Sequence, residues 1–221
     1  MNAVATSFDG CVRWFRLAMI AVLGCSVLLP AAASAQVPEP LPVTDRWSLD
    51  FKPGPLRLIS LEVDGSPRLF LYMTYEVRNF DDRELRLVPS MTLMSDQGQV
   101  QASGQGVPGP VVRTILGKLK DPLLFDQISV IGPIKRGEEH ARRGLAVWPI
   151  IDADPDELRV FAAGFSGESE TMTITDPRTG DEVEMVFRKT RQLRYQVPGE
   201  LRADSYGDRP IPMLDARWIM R

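Results

Sequence analysis

Three aspartates on alternate positions, Asp152, Asp154 and Asp156, form the acidic cluster of this chain best suited to hold a metal ion. Calcium prefers carboxylate oxygens, and carboxylates on alternate residues can converge on one cation. An EF-hand loop would also need glycine at its sixth position and glutamate at its twelfth, where this chain has Glu157 and Ala163. We interpret the segment as an acidic solvated turn and predict no metal site; a looser calcium site is the alternative.

Residues 104–109 have the spacing Gly-x-Gly-x-x-Gly, which is found in dinucleotide-binding loops. Such a site also requires a parallel βαβ unit, and the segments on either side have the pattern of antiparallel hairpin strands instead. Pro108 and Pro110 would stiffen the backbone that wraps the pyrophosphate. We therefore interpret the glycines as loop residues and predict no cofactor.

Histidine chemistry depends on a single residue, His140, within the polar run 136–143. One histidine cannot build a multi-histidine metal site, and we interpret the run as a solvated turn. A serine triad needs a histidine base in the right place, and this chain offers no second choice. We predict no catalytic residues and no enzymatic activity. A hydrolase that acts on envelope glycans through paired carboxylates is the alternative, with no pair singled out by the sequence.

The densest basic run is 188–194, Arg-Lys-Thr-Arg-Gln-Leu-Arg. Such a run could dock an anionic polymer or a lipid surface. Strand alternation, however, would spread its charges over both faces of a sheet. A solvated outer face is the simpler interpretation.

The N-terminus has the pattern of a secretory signal peptide. Arg13 and Arg16 precede an apolar run at 17–29, and the small-residue stretch 31–35 supplies an A-x-A site. The apolar run is shorter than the roughly 20 residues that span a bilayer. We predict a signal peptide over 1–35, cleaved after Ala35, and export to the periplasm or the extracellular space.

Cys25 offers a second processing route, because the residues before it loosely match a lipoprotein box. Lipidation there would give a membrane-anchored protein, whereas cleavage after Ala35 would give a soluble one. The only other cysteine is Cys11, so cleavage after Ala35 leaves a cysteine-free chain.

The full chain has 26 basic and 29 acidic residues, and loss of the signal peptide brings the net charge to about −4. A basic footprint for nucleic acid is absent, so we predict no nucleic-acid partner.

The remaining chain is organised as a Pro-rich leader at 36–46, which we interpret as an extended spacer, and one domain at 47–221. Residues 69–79 alternate apolar and polar side chains, the pattern of a half-buried strand. Helical spacing appears only at 110–120, which we expect to cap the open end or edge of a sandwich, and 198–215 is interpreted as a surface loop. The predicted strands are 56–63, 69–79, 85–93 (with a bulge or edge at Pro89), 99–103, 127–131, 144–148, 158–163, 170–175, 182–188, 192–197 and 217–220. We expect the strands in the first half of the domain to form an antiparallel meander.

Two strings resemble known exported proteins. Residues 72–79, Tyr-Met-Thr-Tyr-Glu-Val-Arg-Asn, followed by 87–93 and Asp-Gln-Gly at 96–98, resemble bacterial Ig-like domains of the FxLYD and telokin-like kind. Residues 144–148, 160–168, 188–190 and 218–221 resemble an uncharacterised family of exported bacterial proteins. The resemblance implies structural roles for Val77, Asn79 and the 96–98 turn, and it implies no known activity.

Together these observations predict an all-β chain, an antiparallel Ig-like β-sandwich with one short inserted helix. We expect a non-catalytic binding or structural module of the cell envelope, acting through the 188–194 strand or the 198–215 loop. Its expected partner is an unknown envelope protein or polysaccharide. We expect no transmembrane helix in the mature chain.

Overall fold

Antiparallel strands form most of the structure. A computed structural model describes residues 37–42, 46–150, 154–176 and 178–221. The predicted signal peptide, its cleavage site after Ala35, and Cys25 lie outside these residues. In chain order the elements are β1 (Leu49–Val63), β2 (Ser66–Asn79), β3 (Leu85–Leu87), β4 (Ser90–Ser95), β5 (Val100–Ala102), α1 (Gly109–Leu119), β6 (Leu124–Phe125), β7 (Gly132–Ile134), β8 (Gly137–Pro149), β9 (Glu157–Ala163), β10 (Ser169–Thr175), β11 (Glu182–Gln196), α2 (Ala203–Tyr206) and β12 (Met213–Met220).

The first sheet has the strand order β1-β2-β8-β6. Asp64 and Gly65 join β1 to β2 in a two-residue turn, and both have positive φ, as the tight hairpin turn of type I′ requires. The second neighbour of β2 is β8, which follows it by almost sixty residues. The predicted meander is therefore wrong at the step that follows β2, because a pattern of alternation does not specify which strand pairs with which. Its hairpin across the 96–98 turn is present, since β4 pairs antiparallel with β5.

The second sheet has the order β10-β11-β9-β4-β5, with β12 also paired to β11. The predicted strand over 85–93 is in fact two strands in different sheets: β3 pairs with β7, and β4 pairs with β9 and β5. The break comes at Pro89, which lacks a backbone N–H for a ladder and separates the two segments.

One apolar core lies between the two larger sheets. Leu71 and Met73 of β2 are buried in it, together with Leu93 of β4, Val160 of β9 and Leu193 of β11. These residues occupy alternate positions of their strands, as strands with one buried face require. The all-β prediction is confirmed, with several antiparallel sheets making up most of the chain.

The predicted helix is confirmed as α1, with Pro110 in its first turn, where a missing N–H costs nothing. Its predicted position was wrong. Val111 and Ile115 pack with Phe70 and Val147 in a second apolar cluster on the outer face of the first sheet. The helix covers a sheet face because β2 and β8 carry apolar residues on both sides.

Three further segments differ from prediction. Residues 127–131 form a turn, held by the Asp126 carboxylate, which accepts hydrogen bonds from the backbone N–H groups of Ile128 and Ser129. The two predicted strands at 182–188 and 192–197 form the single strand β11, since the polar residues between them are paired within the sheet. The predicted loop 198–215 contains α2 and the start of β12, and its residues Leu201, Tyr206 and Ile211 are buried in the main core.

Candidate functional site

The basic run of β11 divides between the two faces of the second sheet, as its alternation predicts. Leu193 and Tyr195 lie in the core, so Lys189 and Arg191, which share their parity, lie on the core side. Arg188 and Arg194 lie on the outer side of β11, together with Thr190 and Gln192.

The neighbouring strands add three more arginines to that outer face. Arg159 of β9 is the cross-strand partner of Arg194, and Arg217 of β12 is the partner of Gln192. Arg221 follows β12 and exchanges both backbone hydrogen bonds with Arg188. We call the surface formed by Arg159, Arg188, Arg194, Arg217 and Arg221 the arginine face. Helix α1 packs on the other large sheet and does not cover this face.

The arginine side chains lie over a buried floor. The guanidinium carbon of Arg221 is 3.8 Å from the ring centroid of Phe161, a cation–π contact. Arg217 Nε donates a hydrogen bond of 2.9 Å to Gln192 Oε1. Phe161 and Gln192 are buried although they are on the outer side, since arginine stems shield apolar surface while their charged ends stay in water. These contacts hold two guanidinium groups in place before any ligand binds.

Glu157 neutralises part of the face. Its carboxylate accepts a hydrogen bond from Arg194 Nη2 at 2.5 Å and another from Arg159 Nε at 2.6 Å. The bond from Arg194, and then the bond and charge of Arg159, lower the pKa of Glu157 to about 2 against the opposing effect of burial. The two arginines therefore share one carboxylate that stays ionised at any physiological pH, and it offsets one of their two positive charges.

Three arginines of the face keep an uncompensated charge. Within the described part of the chain, Arg188, Arg217 and Arg221 form no ion pair with a carboxylate. The face ends at Arg188, because the next outer residues of β11 in the direction of its start are Val186, Glu184 and then Glu182. Guanidinium groups bind carboxylates, phosphates and sulfates through paired N–H donors, so this patch can bind an anion.

Sequence reasoning found Arg188 and Arg194 and missed the other three arginines of the face. Arg217 and Arg221 lie four positions apart and therefore share a side of β12, which was a readable signal. No comparable signal in the sequence indicated Arg159, because its position on the face depends on the pairing of β9 with β11.

The other sequence candidates are scattered. Asp152 lies outside the described residues, and no group of three metal-binding side chains occurs in the part of the chain that is described. Asp156 uses its backbone N–H to donate a hydrogen bond of 3.3 Å to the Asp96 carboxylate. His140 lies in strand β8 and not in the predicted turn, and its imidazole is 3.8 Å from the Glu139 carboxylate. Residues 137–143 of the polar run belong to β8, where Arg142 and Arg143 pair with Val77 and Glu76 of β2.

Gly104 and Gly106 lie in the turn between β5 and α1, and Gly109 is the first residue of α1. Gly104 and Gly106 have positive φ, a conformation that glycine adopts without strain. The strand before them, β5, pairs only with β4 among the described residues, and the two are antiparallel. The structure therefore agrees with the interpretation as loop residues for Gly104 and Gly106, whereas Gly109 begins the helix.

The arrangement of Glu157 predicts a pH dependence of stability. Since its pKa is depressed in the folded chain, its contribution is complete above its ordinary value of 4.5 and is lost as the pH falls towards about 2. We expect Glu157→Gln to lower stability by about 1 kcal/mol at neutral pH, a figure that allows for solvent screening of the pair. The melting temperature of the variant should approach that of the wild type between those pH values.

The measurement is a series of thermal melts from pH 7 to pH 2. Glu170→Gln is the matched control, since Glu170 is exposed and forms no ion pair with the described residues. Its melting curve should run parallel to the wild type throughout. A Glu157→Gln curve that also runs parallel would contradict the assignment.

The chain matches no family model, no curated protein and no solved structure. Among the residues described, none of the helices has the length and apolar character needed to cross a membrane.

Proposed function

We propose that this chain is an exported, non-catalytic binding module of the cell envelope, and that its arginine face binds an anionic envelope polysaccharide. The observation that carries the proposal is the presence of five arginines on the outer face of one sheet, three of them without a carboxylate partner among the described residues. Export rests on the signal-peptide pattern of residues 1–35 and is part of the same proposal.

The choice of ligand follows from charge and shape. The face is a sheet surface with fixed guanidinium groups, which suits an extended polymer that carries a repeating carboxylate or phosphate. Export, which is part of the same proposal, would bring the chain into contact with envelope polysaccharides rather than with nucleic acid. The proposed partner is therefore a polymer of the envelope that carries acidic sugars.

The finer description of the fold belongs to the same proposal. We propose an Ig-like sandwich, supported by two antiparallel sheets that share one core and by the resemblance of residues 72–98 to exported Ig-like domains. In domains of this architecture the sheet faces and end loops are available for binding, while the core supplies stability. A binding role for the outer face of one sheet fits that division.

The test is a change of charge on the face. In the variant R188Q/R217Q/R221Q, the arginines that lack carboxylate partners among the described residues become neutral. We expect its affinity for polygalacturonate, a carboxylated polysaccharide, to fall about tenfold or more, since an exposed ion pair contributes about 0.5–1 kcal/mol and three are removed. The measurement is equilibrium binding of the labelled polymer at low salt, with neutral dextran as the control ligand.

A matched variant separates the site from the overall charge. R86Q/R113Q/K118Q removes the same number of positive charges from β3 and α1, where all three side chains are exposed. We expect it to bind polygalacturonate within about twofold of the wild type, because its three charges lie on β3 and α1 and not on the arginine face. Equal weakening in both variants would show that only net charge matters, and would overturn the proposal.

A further inference from the structure

The described part of the Pro-rich leader, residues 37–42, packs beside β12 and forms one wall of a groove there. The groove has a volume of about 800 Å³ and is lined by the leader itself together with Ser48, Lys189 and the β12 residues 217–220. The leader had been predicted to be a spacer. Its contacts with the domain instead have the form of a ligand in a binding site.

A buried ion pair makes the central contacts. Lys189 Nζ is 2.7 Å from Glu168 Oε2, and the side chains are only 10% and 8% exposed. Glu168 Oε1 accepts a hydrogen bond of 2.7 Å from the backbone N–H of Leu41, and Lys189 Nζ donates one of 3.2 Å to the Leu41 carbonyl. Although burial opposes ionisation, the hydrogen bonds from Lys189 and Leu41 hold the pKa of Glu168 below its ordinary value. Two buried charges thus bind both backbone polar groups of one residue, Leu41.

The residues around Leu41 fit this mode of recognition. Pro40 and Pro42 have no N–H, so Leu41 supplies the only backbone donor of the three-residue segment 40–42. Prolines also favour the extended polyproline conformation, which loses little entropy on binding. The Leu41 side chain itself is 55% exposed, so the groove recognises the backbone of a Pro-x-Pro segment and leaves the middle side chain free.

An aromatic side chain completes the groove. Trp218 is half-buried on the core side of β12, with Lys189 Nζ at 5.9 Å and the Arg191 guanidinium at 5.4 Å from its ring centroid. Proline-rich segments dock against aromatic residues in several classes of peptide-binding domain, because the flat ring packs on the pyrrolidine. The Trp218 ring, the buried Lys189–Glu168 pair and the proline-rich segment 37–42 therefore lie together at this groove.

We propose that this groove is a peptide-binding site for extended Pro-x-Pro segments, and that residues 37–42 are an internal ligand which a proline-rich segment of another envelope protein displaces. The occupant is defined by the segment seen in the groove. The site lies on the opposite side of β11 from Arg188 and Arg194, so it adds a second function to the one proposed above. It does not depend on polysaccharide binding.

The internal ligand sets the expected strength of binding. A segment tethered by a few residues has an effective concentration in the millimolar range, so an external peptide competes poorly with it. Releasing the leader should therefore strengthen binding of an external peptide. The variant P38G/P40G/P42G does this without touching any core residue.

The experiment measures binding of a fluorescent peptide, Val-Pro-Glu-Pro-Leu-Pro-Val (the sequence of residues 37–43), by anisotropy. We expect the full-length chain with P38G/P40G/P42G to bind it about tenfold or more tightly than the wild type does. The matched control is the same peptide with an N-methyl group on its leucine, which removes the donor to Glu168 and should weaken binding about tenfold. Replacing that leucine by alanine should change little.

Three outcomes would overturn the proposal. The first is equal binding of the N-methylated and unmodified peptides, which would show that the Glu168 contact is not used. The second is the absence of binding to the released variant, when its melting temperature is that of the wild type. The third is a wild-type dimer that dissociates on leader release, which would make a second copy the occupant. The peptide control requires no change to the protein, so folding defects cannot obscure it.

Discussion

Lys189→Met is expected to lower the free energy of unfolding by about 3–5 kcal/mol. The substitution leaves the Glu168 carboxylate buried without its partner at 2.7 Å, and a buried unpaired charge is among the most costly features a folded chain can carry. It also removes the donor to the Leu41 carbonyl, so the leader loses one of its two central hydrogen bonds. The measurement is chemical denaturation at neutral pH.

Two controls separate the charge from the shape of the side chain. The double variant E168Q/K189M removes both charges and should recover most of the lost stability, because no ion remains buried. Arg202→Met breaks an exposed pair with Glu200 and should cost less than about 1 kcal/mol. A Lys189→Met variant that is as stable as Arg202→Met would contradict the burial of the pair.

Trp148→Ala is expected to cost about 3–5 kcal/mol of stability. Trp148 has 0% exposure and is the largest of the fully buried side chains in the core between the two sheets. Its removal leaves a cavity that the surrounding strands, fixed by their hydrogen bonds, cannot close. The measurement is again chemical denaturation, with the slope of the transition compared to confirm that one cooperative unit unfolds.

Trp148→Phe is the informative partner of that variant. Phenylalanine fills most of the same volume, and it lacks the indole Nε1–H, which has no acceptor among the described residues. We expect a loss well below that of alanine, since an unsatisfied buried donor is removed along with the extra volume. Leu123→Ala, at a site 65% exposed, should be close to neutral. A Trp148→Ala effect as small as that of Leu123→Ala would contradict the core assignment.

Local patterns in the sequence predicted the elements better than they predicted the pairing. The alternation over 69–79 indicated β2 correctly, and Pro110 with the following helical spacing indicated α1. Neither pattern indicates which strand pairs with which. The pairing of β2 with β8 and the division of the 85–93 segment at Pro89 were therefore missed. The apolar residues of 127–131 look like a strand in isolation, and only the capping by Asp126 makes them a turn.

The candidate surfaces show the same limit. Alternation in β11 correctly separated Arg188 and Arg194 from Lys189 and Arg191. Assembly of the arginine face depended on the register of β11 with β9 and β12, which a single sequence does not reveal. The docking of the leader depended on Glu168, which is distant in sequence and carries no motif.

Strands β11 and β12 contribute to both proposed sites. Their outer side carries most of the arginine face. Their core side contributes Lys189 and Trp218 to the groove that the leader also lines. Arg217 belongs to the face and also lines the groove, so it is the residue at which the two sites meet. A polymer and a peptide could therefore bind one module on adjacent surfaces.

Binding of polygalacturonate to the full-length chain across a salt series tests the central claim most directly. If the arginine face binds the polymer through ion contacts, affinity should fall about tenfold between about 50 and 200 mM salt, and R188Q/R217Q/R221Q should lose most of that dependence. Binding that is insensitive to salt, or a triple variant with the slope of the wild type, would contradict the claim.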